Sequence, residues 1–135
     1  MKTKKIYVAY KFKDSDPILL KKKLEELSKI IEETLSCKTF VFFRDAQNWG
    51  EIQMNVKEII GKAYEEIKKC DAIFVEASEK ANGVYFEVGC AKALKKKIIV
   101  AHKEETEANF LEACADVKIE YKSLEDLREK LVKIK

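Results

Sequence analysis

Short apolar runs alternating with amphipathic stretches predict an α/β fold: a doubly wound, five-stranded parallel sheet with helices on both faces. Three observations carry that prediction. Residues 72–75 and 98–101 are apolar without polar alternation, as expected of strands covered on both sides. The segments between strand candidates repeat leucine, isoleucine and valine at the spacing of a helix with one buried stripe. The connections are short, and no repeat or low-complexity segment interrupts the alternation. At 135 residues and 47% hydrophobic content, the chain, 1–135, makes one domain with a single core.

In order, Ile6–Tyr10 is the first strand candidate, and Lys11–Ser15 forms a loop. Asp16-Pro17 supplies an N-cap followed by proline at the first helical position. The helix behind it carries Leu20, Leu24, Leu27, Ile31 and Leu35 on one stripe. Thr39–Phe43, rich in β-branched and aromatic residues, reads as the second strand and ends at Arg44-Asp45. Gly50 closes the next loop, and Glu51–Lys69 reads as a helix with Ile52, Val56, Ile59, Ile60, Ala63 and Ile67 at core spacing. Ala72–Val75 is the third strand. A helix entered at Gly83 follows, with Val84, Val88, Ala91 and Leu94 at helical spacing. Lys97–Ala101 is the fourth strand, with His102 at its end. A helical turn near Thr106–Cys114 precedes Val117–Tyr121, whose alternation marks an edge strand with one exposed side. Ser123 and Asp126 make a capping box for the last helix, striped by Leu124, Leu127, Leu131 and Ile134.

Composition excludes several functions. Lysine plus arginine exceed aspartate plus glutamate by only 27 to 24, and the two signs are interleaved along the helices, which reads as a solvated surface and not as a nucleic-acid footprint. No apolar run approaches the length of a bilayer span, and the N-terminus lacks a sustained apolar region, so a cytoplasmic protein with no membrane contact is expected. Cys37, Cys70, Cys90 and Cys114 contain no Cys-x-x-Cys pair and have a single histidine beside them, so they read as reduced core residues, with no metal site and no cofactor.

Right-handed crossovers give the strand order 2-1-3-4-5, a flavodoxin- or Rossmann-like arrangement. Its switch point lies between the first and third strands, and ligands bind outside the carboxyl ends of the strands there. The crevice is therefore lined by the loop from Tyr10 through Phe12 and Lys13, by residues 76–82, and by the helix that carries Glu87. Gly83, beside Asn82 at the helix entry, has no β-carbon and lets backbone or ligand come close. Glu87, about one turn inside, directs a carboxylate at the crevice, although a glutamate so placed is also favoured by the helix dipole alone.

Ile-Tyr-Val-Ala at 6–9, Cys-Asp-Ala-Ile-Phe-Val-Glu-Ala at 70–77 and Gly-Val-Tyr-Phe-Glu-Val-Gly-Cys-Ala at 83–91 resemble the nucleoside 2-deoxyribosyltransferase superfamily, which includes the deoxynucleoside monophosphate N-glycosidases. The specific part is the Gly-x-x-x-Glu-x-Gly turn after a buried strand. The resemblance implies that Glu87 is the nucleophile that attacks the anomeric carbon, with Tyr7 orienting it through its hydroxyl. It also implies a homodimer or larger homo-oligomer with shared sites, in which only Asn109 of the Ala108-Asn109 segment could serve a neighbouring subunit. The chain departs from the pattern in four places. Ala63 stands where the family has an aspartate that serves the leaving base, and Ala81 stands where transferases have aspartate and monophosphate hydrolases serine. Lys13 replaces an arginine, and Tyr10 replaces a glycine, narrowing the pocket.

Further candidates carry two readings each. Glu76, at the end of the third strand, either replaces the missing acid beside the crevice or is simply exposed. Arg44, Asp45 and Trp49 offer an aromatic ring for a base and a guanidinium for phosphate, or an Arg-Asp surface pair with a tryptophan packed on a helix. The function expected is cleavage or transfer of an N-glycosidic bond in a nucleoside or nucleoside 5'-monophosphate, with hydrolysis preferred because Ala81 lacks the transferase carboxylate. The alternatives are a non-catalytic nucleotide-binding or sensing module and a TIR-like NAD glycohydrolase.

Overall fold

A computed structural model describes residues 5–134. The elements are β1 (Lys5–Ala9), α1 (Pro17–Leu35), β2 (Lys38–Val41), α2 (Phe42–Asp45), α3 (Val56–Lys69), β3 (Ala72–Glu76), α4 (Asn82–Ala93), β4 (Lys97–Lys103), α5 (Asn109–Glu112), β5 (Val117–Tyr121) and α6 (Leu124–Lys133). The five strands form one parallel sheet in the order β2-β1-β3-β4-β5, the order expected from the sequence. Tyr7, at the centre of β1, is in register with Phe40 of β2 and Ile73 of β3.

Strand alternation divides the core between two faces. Ile6, Val8, Phe74, Ile99 and Ala101 meet Leu24, Leu27 and Ile31 of α1 and Leu127 and Leu131 of α6. On the other face Tyr7, Ala9, Ile73, Val75 and Val100 meet Ala63 and Ile67 of α3 and Val84, Val88 and Ala91 of α4. Both groups are buried, and the inner strands β1 and β3, covered on both sides, read as continuous apolar runs, whereas edge strand β5 exposes Lys118 and Glu120. Asp16 caps α1 by accepting from the Ile18 and Leu19 N–H groups at 2.9 and 3.2 Å, and Pro17 opens the helix.

Several boundaries differ from the sequence reading, each for a local reason. Tyr10 lies beyond β1. Strand β2 ends at Val41, because Asp45 accepts the Val41 N–H at 2.9 Å and folds Phe42–Asp45 back as the short helix α2. Helix α3 begins at Val56 and not at Glu51, since Asn55 and Glu58 form a reciprocal capping box there and stop the helix extending backwards. Ile52 lies before the helix, and Val56 and Ile60 lie on its outer face, so all three are exposed and do not join the core. Strand β4 runs on to Lys103 and takes in a buried His102, and the helical turn before β5 shrinks to Asn109–Glu112. Among the described residues all four cysteines are free, no cluster of side chains could hold a metal, and no helix is long and apolar enough to cross a membrane.

Candidate functional site

The site is set where α4, packed on β3 and β4, brings Glu87 against Tyr7 of β1. Val84, Val88 and Ala91 press α4 onto the sheet, and that stripe leaves Glu87, one position before Val88, at the edge of the contact above β1. There the Tyr7 hydroxyl donates to Glu87 Oε2. Tyr7 has no solvent-exposed surface, while Glu87 keeps part of its side chain open. Burial pushes the Glu87 carboxyl up to about 8, and the Tyr7 hydrogen bond opposes that push. Burial, and then the neighbouring Glu87, push the Tyr7 phenol far above its ordinary range. A carboxylate gripped on one oxygen in a poorly solvated corner is restricted in rotation, which leaves the second oxygen available to a bound molecule.

The start of α4 is open. Ala81 is its N-cap and has no side chain to cap the first turn, and Asn82 and Gly83 are exposed. A β-carbon built on Gly83 would meet no protein atom within 4 Å, so no internal packing requires glycine there.

Tyr10 and Phe12 enter from the loop after β1. The Tyr10 hydroxyl accepts the Phe43 N–H at 2.8 Å, and burial raises its phenol above the usual range, with Glu87 and Asp45 adding to the rise. Phe12, half exposed, sets its ring edge-on to Phe43 at 5.2 Å, and Phe43 meets Trp49 at 5.4 Å. Lys13 is exposed on this loop. Lys21 of α1 lies 5.3 Å over the Trp49 ring. Arg44 donates to Asp45 at 2.9 Å and to the Thr39 carbonyl at 2.8 Å, and it reaches Ser28 Oγ at 3.4 Å and Glu32 at 3.9 Å. Arg44, Asp45 and Trp49 thus build the corner between β2 and α1, as an Arg-Asp pair with a tryptophan packed on a helix, and are not gathered around Glu87.

Glu76 is a correction. Val75 shares the Tyr7 face of the sheet, so the next residue turns to the opposite face, and Glu76 is buried there. It accepts from the Tyr121 hydroxyl, from the Ser78 N–H at 2.8 Å and from the Ser78 hydroxyl at 3.1 Å. The sheet separates it from Glu87. It borders a cavity of about 250 Å³ shared with Lys11, Ser15, Asp16, Lys23 and Glu79. Asn109 sits apart again, in a cavity of about 380 Å³ beside Tyr85, Lys80 and Phe110, where it donates to Glu107 at 3.0 Å. Local sequence pattern missed Tyr121 as the partner of Glu76, and it missed the edge-on Tyr85–Phe110 pair, whose rings lie 5.6 Å apart.

Fold and site together define a doubly wound α/β domain with a tyrosine-gripped glutamate at the switch point of its sheet. No protein-family model matches the sequence, and no curated protein does. Among solved structures, the chain is similar to the Clostridium botulinum CMP N-glycosidase BcmB, at 22% identity and a TM-score of 0.69, over 98% of this chain and 100% of that one. It is similar to a 2-deoxyribosyltransferase from Bacillus psychrosaccharolyticus, at 17% identity and a TM-score of 0.68, over 94% and 95% of the two chains. A conserved protein from Enterococcus faecalis V583 superposes at 16% identity with a TM-score of 0.71, over 98% and 99%. At these identities the shared property is the fold. One of the three is named as an N-glycosidase and another as a 2-deoxyribosyltransferase, the two activities found in the group that the sequence resembles.

Proposed function

We propose that the protein cleaves or transfers the N-glycosidic bond of a nucleoside or nucleoside 5'-monophosphate, with Glu87 as nucleophile and hydrolysis preferred over transfer. The observation that carries this reading is the Tyr7 hydroxyl bound to Glu87 Oε2 beside the switch point of the sheet. With Oε2 held, the ionised carboxylate attacks the anomeric carbon through Oε1 and forms a glycosyl ester, which water then opens. Tyr7 is a positioning residue in this scheme. Ala81 favours water as acceptor and tolerates phosphate, because an aspartate at that place would repel a phosphate group. Lys13, exposed in the loop after β1, supplies a point charge for such a phosphate. The fold likeness to a CMP N-glycosidase and to a 2-deoxyribosyltransferase supports the same reading.

The test is incubation with a panel of nucleosides, nucleoside monophosphates and NAD, with free base measured by chromatography. Glu87→Gln is expected to bind but release no base, and wild type alone is expected to gain the mass of one sugar from a slow 2-fluoro analogue. A second reading, a binding module that lost its chemistry, is favoured by buried Ala63 in place of an acid. Binding without base release or adduct in the wild type would establish it. The proposal includes a homodimer or larger closed oligomer, in which a second subunit contributes Asn109, an amide with no acidic proton, to the site.

A further inference from the structure

The inference here rests on the glycosidic reading and narrows its substrate. A neutral nucleobase leaves the anomeric carbon as an anion unless a proton reaches its ring while the bond breaks, and glycosidases draw that proton from a second carboxylic acid. Among the described residues, the carboxyl and imidazole groups around the crevice are engaged elsewhere. Glu76 lies on the opposite face with three donors around it. Glu79, in the loop after β3, sits 3.1 Å from Lys11 Nζ, which keeps its carboxyl below the usual range. Asp45 accepts from Val41 and Arg44. His102, the one histidine of the chain, turns toward α5, with Nδ1 at 2.9 Å from the Lys103 carbonyl and Nε2 at 3.6 Å from Glu112. Ala63 offers only a methyl group. Tyr7 and Tyr10 hold their protons, since burial drives both phenols up.

We infer that the substrate is an N-glycoside whose base is already cationic, a pyridinium or an N-alkylated purine, which departs as a neutral ring and needs no proton. One oxygen of Glu87 forms a bond to the anomeric carbon as the C–N bond breaks, and the electron pair of that bond neutralises the ring nitrogen. Water then cleaves the ester, restoring the carboxylate, keeping the hydroxyl on the sugar and releasing one proton to solvent. Charge complementarity acts in the same direction. A positive ring beside Glu87 favours its ionised form and reverses the effect of burial, so that such a substrate readies its own nucleophile.

The experiment compares nicotinamide mononucleotide and 7-methylguanosine 5'-monophosphate with CMP, AMP and GMP, in ribose and 2'-deoxyribose forms. Base release is followed by chromatography after subtraction of the spontaneous rate, with Glu87→Gln as control. Cationic bases are expected to be released with kcat/KM at least about 100-fold above GMP, the lower end of what a general acid supplies. A smaller ratio, with release still dependent on Glu87, overturns this inference and leaves the glycosidic reading standing. No release from any of these compounds, or release that persists undiminished in Glu87→Gln, overturns both.

Discussion

Glu87 carries a proton whose affinity differs between the folded and unfolded chain. Its carboxyl is raised from 4.5 to about 8 in the folded protein, so between those values the folded chain keeps a proton that the unfolded chain has lost. Stability from the neutral carboxyl is therefore fully present below pH 4.5 and is lost as pH rises toward 8. Glu87→Gln keeps the shape and does not titrate. Its melting temperature is expected to match wild type near pH 4.5 and to exceed it at pH 8 by the equivalent of about 1–2 kcal/mol, a reduced figure because the side chain keeps contact with water. A gap that does not change with pH in thermal melts would contradict the burial argument. In the proposed reaction the sign reverses, since Glu87 as nucleophile must be ionised, and kcat/KM for a neutral substrate is expected to rise through about pH 8. Tyr7→Phe removes the hydrogen bond that opposes the rise. It is expected to move that limb upward by roughly one pH unit, equivalent to about 1.5 kcal/mol for one charge-assisted hydrogen bond. A pH profile that stays in place while only kcat falls would assign Tyr7 a purely packing role.

At the scale of single elements, the capping residues decide where helices begin. Asn55→Ala removes the side-chain half of the box that starts α3 and is expected to lower stability by about 1 kcal/mol in denaturant unfolding, with unchanged slope. Ala81→Ser would give α4 the side-chain cap it lacks and is expected to raise stability by about 0.5–1 kcal/mol in the same assay. The signal for the first was present in the sequence as Asn-x-x-Glu at 55–58, but apolar Ile52 at helical spacing concealed it, although half its surface is exposed. Strand order, the two core faces and the caps of α1 and α6 were legible because they depend on period and on local turn chemistry. The face of Glu76 follows from counting one step from Val75, but the sequence reading sets this residue beside the crevice or in solvent. What local pattern does not contain is pairing at long range: Tyr7 with Glu87 is 80 residues apart, and Tyr121 with Glu76 is 45. Family resemblance supplied the first pairing and nothing supplied the second. The α1 partners of Arg44 lay beyond reach for a related reason, since they are fixed only once β2 has turned back at Asp45.

At the scale of the whole molecule, apolar side chains remain on the face that carries α3, α4 and α5. Val56, Ile60 and Tyr64 recur every four residues along α3 with 71%, 45% and 38% exposure, and Phe86 and Phe110 stand out from α4 and α5. Helix α4 is apolar nearly all round, a composition usual in helices covered on more than one side. The proposed oligomer would bury this face. Light scattering at micromolar concentration is expected to give a dimer or larger, and Ile60→Asp is expected to shift it toward the monomer with little change in melting of the isolated subunit. A monomeric wild type would defeat the shared-site proposal.

The buried cluster on the far side of the sheet ties the crevice loop to the edge of the molecule. Tyr121, at the end of β5, grips Glu76, Glu76 accepts the Ser78 amide, and the Ser78 hydroxyl accepts the Lys103 amide at 2.9 Å. The loop that leads into α4 is thus latched by the last strand and not only by its own neighbours. Native-state hydrogen exchange would read this latch directly. In Tyr121→Phe the Ser78 and Lys103 amides are expected to open together and exchange faster, while the central amides of β1 keep the slow exchange of global unfolding.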